Sequence, residues 1–180
     1  MTKLRTACLA LAFFLACGSS WAGPQTGPVV ENFGPVYDVP AGSFNLDATQ
    51  DYAVIMDVSG VTGEPGMPNP GIESAARFLN MHARNGIERR RLKLAVVLHG
   101  PAAAAALTDE AHTSRFDMPN VNKALLEALG RAGVAVYLCG QSAAHRGFEP
   151  GELLPEVDIA VSAMTVHVRL QQEGYRAILF

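Results

Sequence analysis

The sequence predicts a doubly wound α/β domain, and three observations carry that prediction. Five short runs are apolar and rich in β-branched residues: Tyr52–Val58, Leu92–Gly100, Val134–Gly140, Val157–Ala163 and Tyr175–Phe180. These runs are nearly continuous rather than alternating, which suits strands covered on both faces, as in a parallel sheet. Segments with helical periodicity and readable ends separate them, so strand and helix alternate along the chain.

Each element can be justified in turn. Ahead of the first strand, Gly23 to about Gln50 is rich in Gly and Pro and reads as an extended arm lying on the domain or on a neighbouring subunit. After Tyr52–Val58 comes a glycine-rich stretch, "SGVTG", and then a helix. Asn69 can cap that helix, Pro70 fits its first turn and Gly86 stops it. Ile72, Ala75, Ala76, Leu79 and Ala83 share one face, while Glu73 and Arg77 pair at i,i+4 on another. Arg89-Arg90-Arg91 reads as a solvated turn leading into Leu92–Gly100, and Ala102–Ala106 as the start of a helix. In "VNKALLEALGRAG", Val121, Leu125 and Leu129 face inward and Gly133 is the stop. A last helix, "MTVHVRLQQEG", ends at Gly174 before the final strand.

The first 22 residues read as a secretory signal peptide. Lys3 and Arg5 precede an apolar run from Ala7 to Cys17, and Ser20 and Ala22 place small residues at the −3 and −1 positions. The expected destination is the periplasm. A lipoprotein signal with Cys17 lipidated is the minor alternative, disfavoured by bulky Leu15. Beyond this segment no run approaches the ~20 apolar residues of a membrane span. The chain has three cysteines and a formal net charge of −3, with no basic patch of the kind that binds nucleic acid. Removal of the signal takes Cys8 and Cys17 with it. Cys139 is then a lone thiol in an exported chain, hence protected, intermolecular or reactive.

Ligands of an open parallel sheet bind outside the carboxyl ends of its strands. Asp57/Ser59, His99/Gly100, Cys139/Gly140 and Ser162 stand at such ends. Cys139 is followed by Gly140-Gln141-Ser142, which enters a turn or helix whose free N–H groups favour a thiolate. Gly140 would let the backbone approach a ligand closely. His99, His145 or Arg146 could add positive charge alongside. A buried, inert packing cysteine is the competing reading.

Other constellations are weaker. "GQSAA" resembles a degenerate nucleophile elbow with Ser142 as nucleophile and Asp158 and His167 following in order, but Asp158 begins a strand and His167 falls inside a helix. In "SGVTG" a phosphate loop would need a helix directly after it, and Glu64-Pro65 intervenes. The five histidines lack metal-ligand spacing, and His82 and His167 read as surface or packing residues on helices. Nothing in the pattern calls for a metal or a cofactor.

Taken together, "ARFLNMHARNG", "LKLAVVLHGPA", "NVNKALLEALGRAGVAVYLCGQSAAHRG" and "LLPEVDIAVSAMTVHVRLQQEGYRAI" resemble the DsrE/DsrF-like proteins over about Asp51 to Phe180. The resemblance implies a three-layer α/β/α domain with a five-stranded parallel sheet, assembled as trimers or hexamers. It also implies that Cys139, at the position of the sulfur-relay cysteine, carries sulfane sulfur as a persulfide. His99 matches the family's "HG", with Gly100, Gly140, Gln141 and Ser142 as supporting residues. The chain departs from the small relay subunits in its signal and its arm. The expected function is an exported sulfur carrier, enzymatically at most sulfurtransferase-like, that exchanges sulfur with small sulfur species or a partner thiol. The alternative is a non-catalytic oligomeric binding or scaffold protein of the same fold.

Overall fold

The computed structural model describes residues 23–179, apart from 41, 43 and 62. The signal-peptide and lipoprotein readings concern residues 1–22 and lie outside the described residues.

Five strands form one parallel sheet: β1 Tyr52–Val58, β2 Leu92–Leu98, β3 Ala135–Cys139, β4 Val157–Ala160 and β5 Arg176–Leu179. Their spatial order is β4-β3-β2-β1-β5. The helices are α1 Pro70–Arg84, α2 Asp109–Phe116, α3 Lys123–Arg131, α4 Gly140–Arg146 and α5 Ala163–Gln172. The chain steps outward from β1 to β4 and then returns across the sheet to place β5 beside β1. Right-handed crossovers put the helices of the outward and returning paths on opposite faces. Accordingly α1 and α3 pack on Val54, Met56, Leu94, Val96, Val136 and Leu138, while α5 packs on Ile55, Ala95 and Val97 of the other face. The result is a three-layer α/β/α fold.

Strand parity then selects the site. Side chains alternate between faces along a strand, so Asp57 follows Ile55, and His99 follows Val97, onto the α5 face. Cys139 shares that face. The pairing Val97↔Tyr137, continued by two residues, sets His99 level with Cys139.

Helix ends follow local chemistry. Asn69 accepts from Gly71 N at 2.9 Å and donates to Gly60 O at 2.6 Å, capping α1. Ser162 accepts from Thr165 N at 3.0 Å and caps α5. The expected Glu73–Arg77 pair is present at 3.8 Å.

Several boundaries differ from the sequence reading. The apolar run Val157–Ala163 is strand only to Ala160, because Ser162 caps a helix that begins at Ala163. Ala102–Ala106 lies in a 3-10 helix, Gly100–Ala106, rather than starting an α-helix; α2 begins separately after the Thr108 cap. Arg89 is not a solvated turn residue. It is half-buried, and its guanidinium donates to the carbonyls of Ala132 and Leu92.

Residues 23–40 run along the domain and dock on α1. Asn80 is fully buried, and its Oδ1 accepts from Val29 N (3.1 Å) and Val30 N (2.8 Å). Its Nδ2 donates to the carbonyls of Val30 (2.9 Å), Phe33 (2.9 Å) and Gly34 (3.1 Å). At Gly34, φ is +64°, and a Cβ would lie 2.2 Å from Arg77 N. Only glycine lets the arm lie this close to the helix.

Candidate functional site

The carboxyl ends of β1, β2 and β3 and the first turns of α5 line an open cavity of about 400 Å³. Asp57, His99 and Cys139 come from the strands, and Ser162, Ala163, Met164 and His167 from the start of α5. Gln141 and Leu179 complete the lining.

Cys139 is 6 % exposed, at the point where β3 turns directly into α4. Burial pushes its thiol up, but hydrogen bonds outweigh that cost and hold it below the ordinary cysteine value. The donors are the Ser142 hydroxyl and the backbone N–H groups of Ala163, Ser142 and Gln141. Two helix N-termini, of α4 and α5, therefore converge on one sulfur. Unpaired N–H groups at a helix start stabilise an anion, and the thiolate is the nucleophilic form.

Gly100, Gly140, Gln141 and Ser142 lie around this thiol. Gly100 N donates to Ser142 Oγ at 3.0 Å, which leaves the Ser142 hydroxyl hydrogen free to point at the sulfur. Gly100 has φ +51°, and its carbonyl accepts from Arg146 Nε at 3.0 Å. Arg146 thus braces the loop and does not charge the cavity, and neither it nor His145 is part of the lining. Gly140 is required by close approach, but the partner is the protein's own backbone. A Cβ there would lie 2.7 Å from the carbonyl of Ala160 and 3.4 Å from that of Val161. Gln141 donates to Val161 O at 3.3 Å and ties α4 to the same loop.

His167, and its pairing with Asp57, form the part of the site that the sequence reading missed. His167 is not a surface or packing residue: its Nε2 donates to Asp57 Oδ1 at 2.6 Å. His99 Nε2 donates to Asp57 Oδ2 at 3.2 Å. Burial raises the Asp57 carboxyl, and the hydrogen bonds from His167 and His99 more than reverse this, leaving it below the usual value. A carboxylate acceptor on Nε2 fixes that nitrogen as the protonated one, so each neutral ring keeps Nδ1 as a base. Asp57 stands at a strand end flagged in the sequence. His167 lies 110 residues further on and reaches it only because α5 crosses back over the sheet.

The remaining motifs do not join the site. Asp158 is exposed on β4, and Ser142 pairs with Gly100 rather than with a histidine, so the elbow reading has no geometry behind it. Phe78 stacks on buried His82 at 3.8 Å between ring centroids, and burial lowers the His82 pKa. His112 bonds Met118 O through Nδ1 at 2.7 Å. Among the described residues no three His, Cys, Asp or Glu side chains are spaced to hold a metal ion. None of the described helices is long and apolar enough to cross a membrane.

A parallel α/β/α sheet with a stabilised thiol at a strand end defines a class of small cysteine-bearing domains. Within it, the chain matches the DsrE/DsrF-like family over residues 51–180, and it belongs to that family. A comparison with curated proteins finds no match. Among solved structures, a protein of unknown function, MTH1491 from Methanobacterium thermoautotrophicum, is similar at 21% identity and a TM-score of 0.52. The match covers 72% of this chain and 100% of that one. The ychN protein from E. coli is similar at 19% identity and a TM-score of 0.48, over 73% of this chain and 100% of that one. The first likeness shows the shared fold.

Proposed function

We propose that this protein is an exported, periplasmic sulfur carrier in which Cys139 accepts sulfane sulfur and passes it to a partner thiol. The observation that carries the reading is the convergence of Ser142 and three backbone N–H groups on the Cys139 sulfur, inside a cavity able to admit a small molecule.

In the loading step the Cys139 thiolate attacks the outer sulfur of a persulfide R–S–SH. The new bond joins Sγ to that sulfur, the old S–S bond breaks, and R–S⁻ leaves with its electron pair. Cys139–S–SH results, and R–S⁻ takes a proton from solvent. A partner thiolate then attacks the outer sulfur and restores Cys139–S⁻. Asp57 orients both imidazoles and stabilises either one when it is protonated. Val161, Met164 and Leu179 are 73%, 76% and 74% exposed beside the cavity, which supports assembly of several copies around this rim.

The low exposure of Cys139 favours the second reading, an oligomeric binding protein in which the thiol only packs. Loading separates the two. Purified protein exposed to polysulfide is expected to gain sulfur by intact mass, to lose it to added thiol, and to gain none as Cys139→Ser. A wild-type mass that never changes refutes the carrier.

A further inference from the structure

We propose that the cavity selects uncharged sulfur donors, such as organic trisulfides, over sulfur oxyanions. The inference rests on the carrier reading and narrows its substrate class.

Its basis is a count of charge. Apart from the thiolate, Asp57 is the one lining group among the described residues that bears a full charge when the imidazoles are neutral. Among the described residues no Lys or Arg lines the cavity. Arg146, the guanidinium held against this loop, donates to the Gly100 carbonyl. The backbone donors at the strand ends converge on the Cys139 sulfur. An incoming anion therefore meets two negative groups with no guanidinium or ammonium among the described lining residues to receive it. Sites built for sulfonates, sulfates or phosphates supply Arg or Lys forks or uncommitted N–H groups. Beside Gln141 and Ser162, the side chains of Ala163, Met164 and Leu179 give the wall an apolar stretch that suits an alkyl or allyl group flanking sulfur.

With a trisulfide R–S–S–S–R, the Cys139 thiolate attacks the central sulfur. One S–S bond forms and one breaks, R–S⁻ leaves with the electron pair, and that thiolate is protonated by solvent. Cys139 then carries –S–S–R. A low-molecular-weight thiolate attacking the R-bearing sulfur releases a mixed disulfide and leaves Cys139–S–S⁻. No external oxidant or reductant is required beyond that thiol.

Two pairs of probes test the proposal at about pH 8.5, where a free thiol is substantially ionised. Iodoacetamide and iodoacetate differ chiefly in charge, and the ratio of their rates cancels the thiolate fraction. Relative to a free thiol, Cys139 is expected to favour the amide by about fivefold or more, as a like charge in a shared cavity predicts. Diallyl trisulfide should load faster than tetrathionate by a similar factor, and Asp57→Asn should bring both ratios back toward the free-thiol value. Ratios equal to those of a free thiol in the wild type overturn the inference while leaving the carrier intact if both donors load. A wild-type bias that survives in folded Asp57→Asn overturns the role of Asp57. A bias between the alkylating agents, with sulfur gained from neither donor, overturns the carrier and the donor class together.

Discussion

Alanine at Gly140 is expected to destabilise the fold by about 1–3 kcal/mol, in the range of an over-packed interior site, and to disarm the thiol. The added methyl would lie 2.7 Å from the Ala160 carbonyl, a backbone atom that cannot swing aside as a side chain could. Relief requires the start of α4 to move away from the end of β4. That movement displaces Gln141 and Ser142 on one side of the sulfur and Ala163 on the other, which are the groups that lower the Cys139 pKa. Thermal unfolding and the rate of Cys139 alkylation at neutral pH should fall together. An unfolding midpoint that drops while alkylation keeps its wild-type rate would separate Gly140 from the thiol.

The second large effect is expected at Asn80. Its side chain satisfies five backbone groups of the arm from a fully buried position. Asn80→Ala leaves them without partners, at a gross cost of about 1–3 kcal/mol for each buried group left unpaired. The net loss is smaller, because the arm can leave the helix and hydrate those groups. Val30 and Val36, now buried, would be exposed in the process. Limited proteolysis should therefore cut within residues 23–40 of the variant while the five-stranded domain persists. Intact protection of the arm would show that apolar contacts and the Arg84–Asp38 pair at 2.8 Å suffice to hold it.

The fold was legible because its signals are local. Five apolar runs, Asn69 with Pro70, and Gly86 and Gly133 mark elements through residue chemistry alone. Cys139 and His99 were legible as site candidates because a parallel sheet presents its strand ends to ligands. The misses have physical reasons. Apolarity does not stop where a strand stops, so Val161 and Ala163 extended β4 into a helix cap. Alanines favour a helix, but Gly100 at positive φ and Pro101 open a tighter 3-10 path there. Arg89 looked like one of three exposed arginines, and only the fold, by packing the α3–β3 turn against it, reveals that it donates to the carbonyls of Ala132 and Leu92. The pairing of Asp57 with His167 depends on the strand order and on the face α5 returns to, neither of which is a property of a short segment.

The central claim is that this fold makes Cys139 a nucleophile, and the pH dependence of its alkylation by iodoacetamide tests that claim most directly. Deprotonation creates the reactive form, so the rate rises with pH through the thiol pKa and then levels. A lowered pKa shifts this rise toward acid. The account predicts a midpoint below that of a free thiol measured alongside it. A midpoint at or above the free-thiol value, or slow labelling at every pH, would contradict it and leave Cys139 as a packing residue.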